Sequence, residues 1–332
     1  MNDSTPDQSF GPTVRAALAE HGISVRELAR RVHYDHAYVS RVLAGKQRPS
    51  ADLASRIDNT LDAGGALSTI AATLTPDDTD RLAHSSIYPS RVDAETVSAL
   101  ADVLAAQRRL EDVIGPRAVL PGTRAQLATV TRLAKEARGP HRENMVSVAA
   151  QWTQFTGWLS VALRRDRDAL TLFDQAEELA DEGGDATMAA TATSFRGYIA
   201  WQQERYPAML RAAQGSLHTS GAHVAQHAFD TLQAAQALGA LGERDAARRR
   251  LDEAAVLTEE TERQRDTARP WHYYYTRPFF LLQVGIAYLN LGDYAEAADY
   301  LSDALNRLPE DQHEADWTGE YRDALAAATE GR

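Results

Sequence analysis

Residues 24–50 read SVRELARRVHYDHAYVSRVLAGKQRPS, and this spacing fits two short helices crossed over a tight turn. Leu28, Ala29 and Val32 on the first helix, with Val39 and Val42 on the second, occupy the positions such a pair must bury. Arg26, Arg30, Arg31, Arg41, Lys46 and Arg48 fall outside that seam. Ala29 is small enough to let the helices approach, Asp35 is a good N-cap for the second helix, and Ala44-Gly45 supplies a stop. From Ser24 to Arg48 the net charge is +4, against −12 for the whole chain, so the remainder carries about −16. Cationic charge is concentrated on one small unit, which suits a polyanion bound locally, because attraction is screened beyond ~8 Å at physiological salt.

Outward from that stretch, 332 residues are too many for one ordinary core and suggest one small and one large domain. A hydrophobic content of 44% with 25% charge describes a globular chain. The absence of cysteine excludes disulfides, thiolate metal sites and cysteine nucleophiles. Asp3, Asp7, Glu20 and Glu27 interrupt the first 30 residues, so no signal peptide is expected, and no apolar run reaches the ~18 residues of a membrane span. The expected location is cytoplasmic, with no membrane partner.

Residues 1–12 read as a polar tail and residues 13–65 as the small domain, whose last helix starts after Pro49-Ser50 and ends before Gly64-Gly65. Residues 66–92 read as a linker with at most short helical pieces, because Pro76 and Pro89 break any long one. Residues 93–330 are helical nearly throughout. Val97, Leu100, Val103, Leu104, Leu110 and Val113 recur at helical spacing until Gly115-Pro116 cuts the helix. Gly157-Trp158-Leu159 returns 40 residues later as Gly197-Tyr198-Ile199, with further copies near Leu238 and Gly285, each followed by a turn and an alanine-bearing helix. A helical hairpin cannot bury its own apolar face, so hairpins stack, and Ala169, Ala176, Ala246 and Ala297 are small enough to allow it.

Residues 13–62 resemble the lambda-repressor-like, xenobiotic-response-element type of helix-turn-helix domain. The repeats resemble tetratricopeptide hairpins, whose period is ~34 residues, though the spacings here are longer and irregular. The layout is similar to repeat-containing regulators of GC-rich Gram-positive bacteria and, more distantly, to peptide-pheromone receptors. The resemblance implies an all-α chain: a five-helix-type DNA-binding domain followed by a tetratricopeptide-like solenoid. It also implies that His36, Ala37, Ser40 and Arg41 read bases while Arg26, Tyr38, Lys46 and Arg48 hold phosphate. Two departures stand out. His33 occupies the turn position that usually holds glycine, so it must adopt a left-handed conformation. Val25 stands where relatives often place a glutamine that touches DNA.

Six aromatic residues fall within Trp271–Phe280. On a helix, Trp271, Tyr274 and Tyr275 would share one face, with Arg277 placed to anchor a carboxylate, making either a pocket for a peptide or amphipathic small molecule or the filling of a gap or dimer seam. A second candidate set is Gln151, Gln154, Arg196, Gln202, Gln226, Gln233 and Gln236, whose polar groups could hold a peptide backbone or could be solvated helix residues. His223 and His227 stand four apart, but Val224 replaces the glutamate of the protease motif, so the pair is read as structural. No phosphate-binding loop, dinucleotide fingerprint or nucleophile elbow occurs. The expectation is a non-enzymatic transcriptional regulator without cofactor. It binds double-stranded operator DNA as a homodimer, and its repeat array senses a peptide or small molecule or else serves as a protein-interaction scaffold.

Overall fold

Short local rules set each helix of the N-terminal part. In the computed structural model, which describes residues 10–47, 49–61, 63–73, 92–309, 312–313 and 315–331, α1 spans Phe10–Glu20, α2 Val25–Arg31, α3 His36–Leu43, α4 Ala51–Thr60 and α5 Ala66–Thr73. Ser24, Asp35 and Ser50 each accept a hydrogen bond from the backbone N–H three residues on, capping α2, α3 and α4. Gly45, at φ 68°, lets the Gly45 and Lys46 amides fold back onto the carbonyls of Val42 and Arg41 and stops α3.

Two boundaries differ from the sequence reading. Phe10, assigned to the tail, opens α1 and is fully buried, as is Thr13 behind it. Ala66–Thr73, assigned to the linker, is a helix, and it packs on α1, α4 and the following helix. What makes it one is Asp58 of α4, whose buried carboxylate accepts from the amides of Gly65, Leu67 and Ser68 at 2.5, 2.7 and 3.3 Å. Those are first-turn donors that a helix cannot satisfy internally. The rest of the expected linker, residues 74–91, lies outside the described residues.

Helices then continue as α6 Ala94–Ile114, α7 Pro116–Glu136, α8 Arg142–Ala162, α9 Asp166–Glu182, α10 Ala186–Gln202, α11 Tyr206–Leu217, α12 Val224–Ala240, α13 Arg244–Arg263, α14 Arg277–Leu291, α15 Tyr294–Asn306 and α16 Gly319–Glu330. No strand occurs among the described residues. The chain divides into two compact units, Met1–Gln175 with Glu182–Gly184, and Ala176–Asp181 with Asp185–Arg332.

In the first unit α1 lies against α7 and α5 against α6, so the small domain is seated on the first pair of repeat helices. Trp152 of α8 is fully buried and donates its indole N–H to the Leu100 carbonyl of α6 at 3.2 Å. Gly157 lets α8 and α9 close: a Cβ there would come within 2.5 Å of the Phe173 ring.

In the second unit α10–α11, α12–α13 and α14–α15 form successive hairpins, with inner helix α12 packed against both α10 and α14. Ala169, Ala176 and Ala297 are buried as the close-packing argument requires, but in α13 the fully buried residue is Ala247, and Ala246 is only partly covered. The irregular spacing has a local cause. Between α13 and α14 the chain makes two 3-10 turns, Arg265–Thr267 and Pro270–His272. Trp271, Tyr274 and Tyr275 therefore do not share a face of one helix. Pro278 and the cap on Thr276 start α14 after them.

Candidate nucleic-acid interface and the polar interior of the array

The inter-helix turn holds His33 at φ 57°, the left-handed conformation that histidine adopts more readily than branched side chains. Beyond it the Asp35 carboxylate accepts from the Tyr38 amide at 3.0 Å and fixes the first turn of α3. Val39, Val42 and Leu43 point inward, buried. His36, Ala37 and Arg41 project from the opposite side and are exposed, while Ser40 and Tyr38 are half-buried. Arg26 and Lys46 are exposed at the flanks. Arg48 lies outside the described residues.

Second contacts hold this surface. The Tyr38 hydroxyl accepts from the Ser50 amide at 3.3 Å, and its ring stacks on Tyr34 with centroids 5.6 Å apart. Tyr34 in turn donates to Asp52 at 2.7 Å, which also pairs with Arg56 at 2.8 Å. Arg41 donates from Nε to Gln47 at 3.1 Å, leaving its two Nη groups as the fork a guanine edge requires. Glu27 is held below the usual carboxylate range by Arg30 and then Arg31, at 2.7 and 3.0 Å. That pairing engages two of the six cations of the segment and leaves four, of which Arg26, Arg41 and Lys46 are among the described residues.

The array departs from expectation in the state of its glutamines. Gln154, Gln226, Gln233 and Gln236 are all buried, and only Gln151 and Gln202 retain partial exposure. Gln226 accepts from Thr191 at 2.8 Å and from the Tyr275 hydroxyl at 3.2 Å, and its amide donates to Asp230. Asp230 is fully buried and also accepts from Ser216 at 2.5 Å. Burial pushes its carboxyl up to about 7 despite hydrogen bonds from Ser194, Ser216 and Gln226. Gln233 donates to Ser194 at 3.3 Å, and Gln236 to Gln283 at 3.0 Å. Arg196 is ion-paired with Glu177.

Of the aromatic set, Trp271 and Tyr275 are buried, Tyr274 is half-buried and Arg277 is exposed. Tyr275 packs on Phe229, Phe279 and Phe280 with centroids 5.4 to 5.6 Å apart, so these rings fill the space between α12 and α14. His223 caps α12, accepting the Ala225 amide on Nδ1 at 3.1 Å. Sequence reasoning missed Asp58, Asp230 and Glu320. It also missed an open recess of about 890 Å³ between α7 and α9, lined in part by Arg124, Arg132, Lys135, Asp168 and Leu172. Among the described residues no helix is long and apolar enough to cross a membrane.

Comparison with known proteins agrees with this geometry at the N-terminal end. Residues 9–68 match a protein family described as "Helix-turn-helix domain". No curated protein is significantly similar to the chain. Among solved structures, that of Bacillus thuringiensis PlcR in complex with the peptide PapR7 and DNA is similar over 77% of this chain and 96% of that one, at 13% identity and a TM-score of 0.36. The family match extends the segment recognised by sequence pattern, residues 13–62, by residues 9–12 and 63–68, which take in the first residues of α1 and the start of α5. Residues 9–68 are a helix-turn-helix domain, followed in the same chain by successive helical hairpins.

Proposed function

We propose that the chain is a sequence-specific transcriptional regulator in which α3 enters the DNA major groove and the helical array receives an effector. The observation that carries this reading is the outward row of His36, Ala37 and Arg41, held rigid by the Asp35 cap and the buried Val39 and Val42. His36, Ala37, Ser40 and Arg41 face the bases, and Arg26, Tyr38, Lys46 and Arg48 hold the phosphates. Two copies act together, because one domain of this size makes too few base contacts for genomic selectivity, and two half-sites about one DNA turn apart multiply it. Binding selected from a random duplex pool tests the reading. Arg41→Ala is expected to lose roughly 5- to 150-fold on the selected sequence and to relax preference at one base pair. Lys46→Ala is expected to weaken all duplexes alike and to lower the salt slope by about one. Unchanged sequence preference in Arg41→Ala would overturn the assignment.

The array contributes effector binding through polar groups on its inner helices, with Gln154, Arg196, Gln202, Gln233, Trp271, Tyr274, Tyr275 and Arg277 as the sequence-derived candidates. Burial of Trp271 and Tyr275 and the ion pair of Arg196 weigh toward Gln202, which retains solvent access.

A further inference from the structure

The side chain of Tyr198, on α10, donates its hydroxyl to Glu320 of α16 at 2.7 Å, across 122 residues of sequence. One turn along, Gln202 donates its amide to the same hydroxyl at 3.3 Å, and its carbonyl oxygen is buried with no hydrogen-bond partner. Trp201 stacks on Tyr198 with centroids 5.4 Å apart and planes 29° from parallel. On the other side Gln236 donates to Gln283 and Gln283 to the Tyr321 hydroxyl, at 3.0 and 2.6 Å. Tyr198, Trp201, Gln202 and Glu320 all keep partial exposure as residues, so solutes reach the rim of the cluster, with the Gln202 carbonyl oxygen lying beneath that rim.

Every polar group converging on Glu320 is a neutral donor, and among the described residues no arginine, lysine or histidine forms an ion pair with it. Enclosure without a cation pushes its carboxyl up to about 7. A half-open carboxylate beside an unpaired amide oxygen, flanked by two stacked aromatic faces, presents two acceptors and a π surface and offers no cation of its own. That is the complement of a planar cation with several N–H donors.

We propose that Tyr198, Trp201, Gln202 and Glu320 form a binding site for a guanidinium or alkylammonium group, carried either by a small amine or by a basic side chain of a short peptide. The carboxylate of Glu320 accepts from the cation, the buried Gln202 carbonyl takes a donor that reaches beneath the rim, and the outer face of the stacked Trp201–Tyr198 pair takes its apolar side. This deepens the effector role proposed above and rests on it only for the word effector, since the binding itself is independent of DNA.

Calorimetric titration of the full chain without DNA tests it, using agmatine, the peptide Ala-Arg-Ala and their uncharged urea and citrulline counterparts. Binding of a cationic probe with at least tenfold preference over its uncharged counterpart is expected, together with a loss of about tenfold or more in Glu320→Gln, which keeps an acceptor for Tyr198. Tighter binding of agmatine points to the free amine, and tighter binding of Ala-Arg-Ala to the peptide. Equal affinity for charged and uncharged probes, undiminished binding in Glu320→Gln, or no heat from any cation at millimolar concentration would overturn the site. Trp201→Leu, with an unaltered melting temperature as its control, should weaken the cations and leave the uncharged probes unchanged. Duplex binding by Glu320→Gln, measured alongside, separates the two claims: its loss would count against the fold of the variant, and its absence in the wild type against the regulator reading.

Discussion

Asp58→Ala is expected to lower unfolding stability by about 2 kcal/mol or more, because it strands the buried amide of Leu67 and removes the acceptor of the partly covered amides of Gly65 and Ser68. The loss falls on α5, which is only eight residues long. Since α5 bridges α1, α4 and α6, loosening it also loosens the seat of the helix-turn-helix domain. Denaturant unfolding gives the total, and hydrogen exchange at residues 65–68 shows whether the loss starts there. Asp58→Asn, with one accepting oxygen instead of two, should fall between wild type and alanine. A change below about 1 kcal/mol in Asp58→Ala, where three amides lose their shared acceptor, would contradict the role assigned to this side chain.

Asp230 should make the second unit less stable as pH rises through neutrality. Its folded carboxyl is raised to about 7 from an ordinary 3.8. The proton is therefore held more tightly in the folded state, and the stability it contributes is fully present below the unfolded value and lost as pH climbs through the folded one. Across that interval the loss approaches about 4 kcal/mol for a fully buried group, at about 1.4 kcal/mol for each pKa unit. Glu320, raised in the same direction, adds to the slope, whereas His223, lowered by burial, opposes it. Melting temperatures of wild type and Asp230→Asn between pH 5 and 8 isolate the contribution. The wild type should fall more steeply, by about 2–4 °C for each kcal/mol. Parallel curves would mean that the Asp230 proton is lost equally easily in both states.

The helix-turn-helix was legible because its rules are local. Ser24, Asp35 and Ser50 announce their helices from side chain to backbone across three residues, and His33 had one conformation open to it. The break at Thr276 and Pro278 was legible by the same capping rules, but the density of rings around it suggested a continuous face instead. Asp58 was not, since its partners lie seven to ten residues on, in a segment whose Thr and Ser content resembles a loop. Nor was the burial of Gln226, Gln233 and Gln236. A glutamine on an isolated helix is ordinary surface, and only the approach of α10 and α14 to α12 turns it into an interior group. Glu320 carried no signal at all, because its partner lies on α10 and no pattern within α16 marks it.

The seating of α1 on α7 limits how this molecule can be dissected. Phe10, Val14, Ala17 and Leu18 are all buried, and α1 is in contact with α3, α5 and α7 together. A fragment ending at residue 73 would uncover the side of α1 that meets α7 and the side of α5 that meets α6. Grafting the helix-turn-helix domain onto another carrier would then require bringing the first helical pair with it, and a cut placed at the apparent linker should yield an insoluble stub.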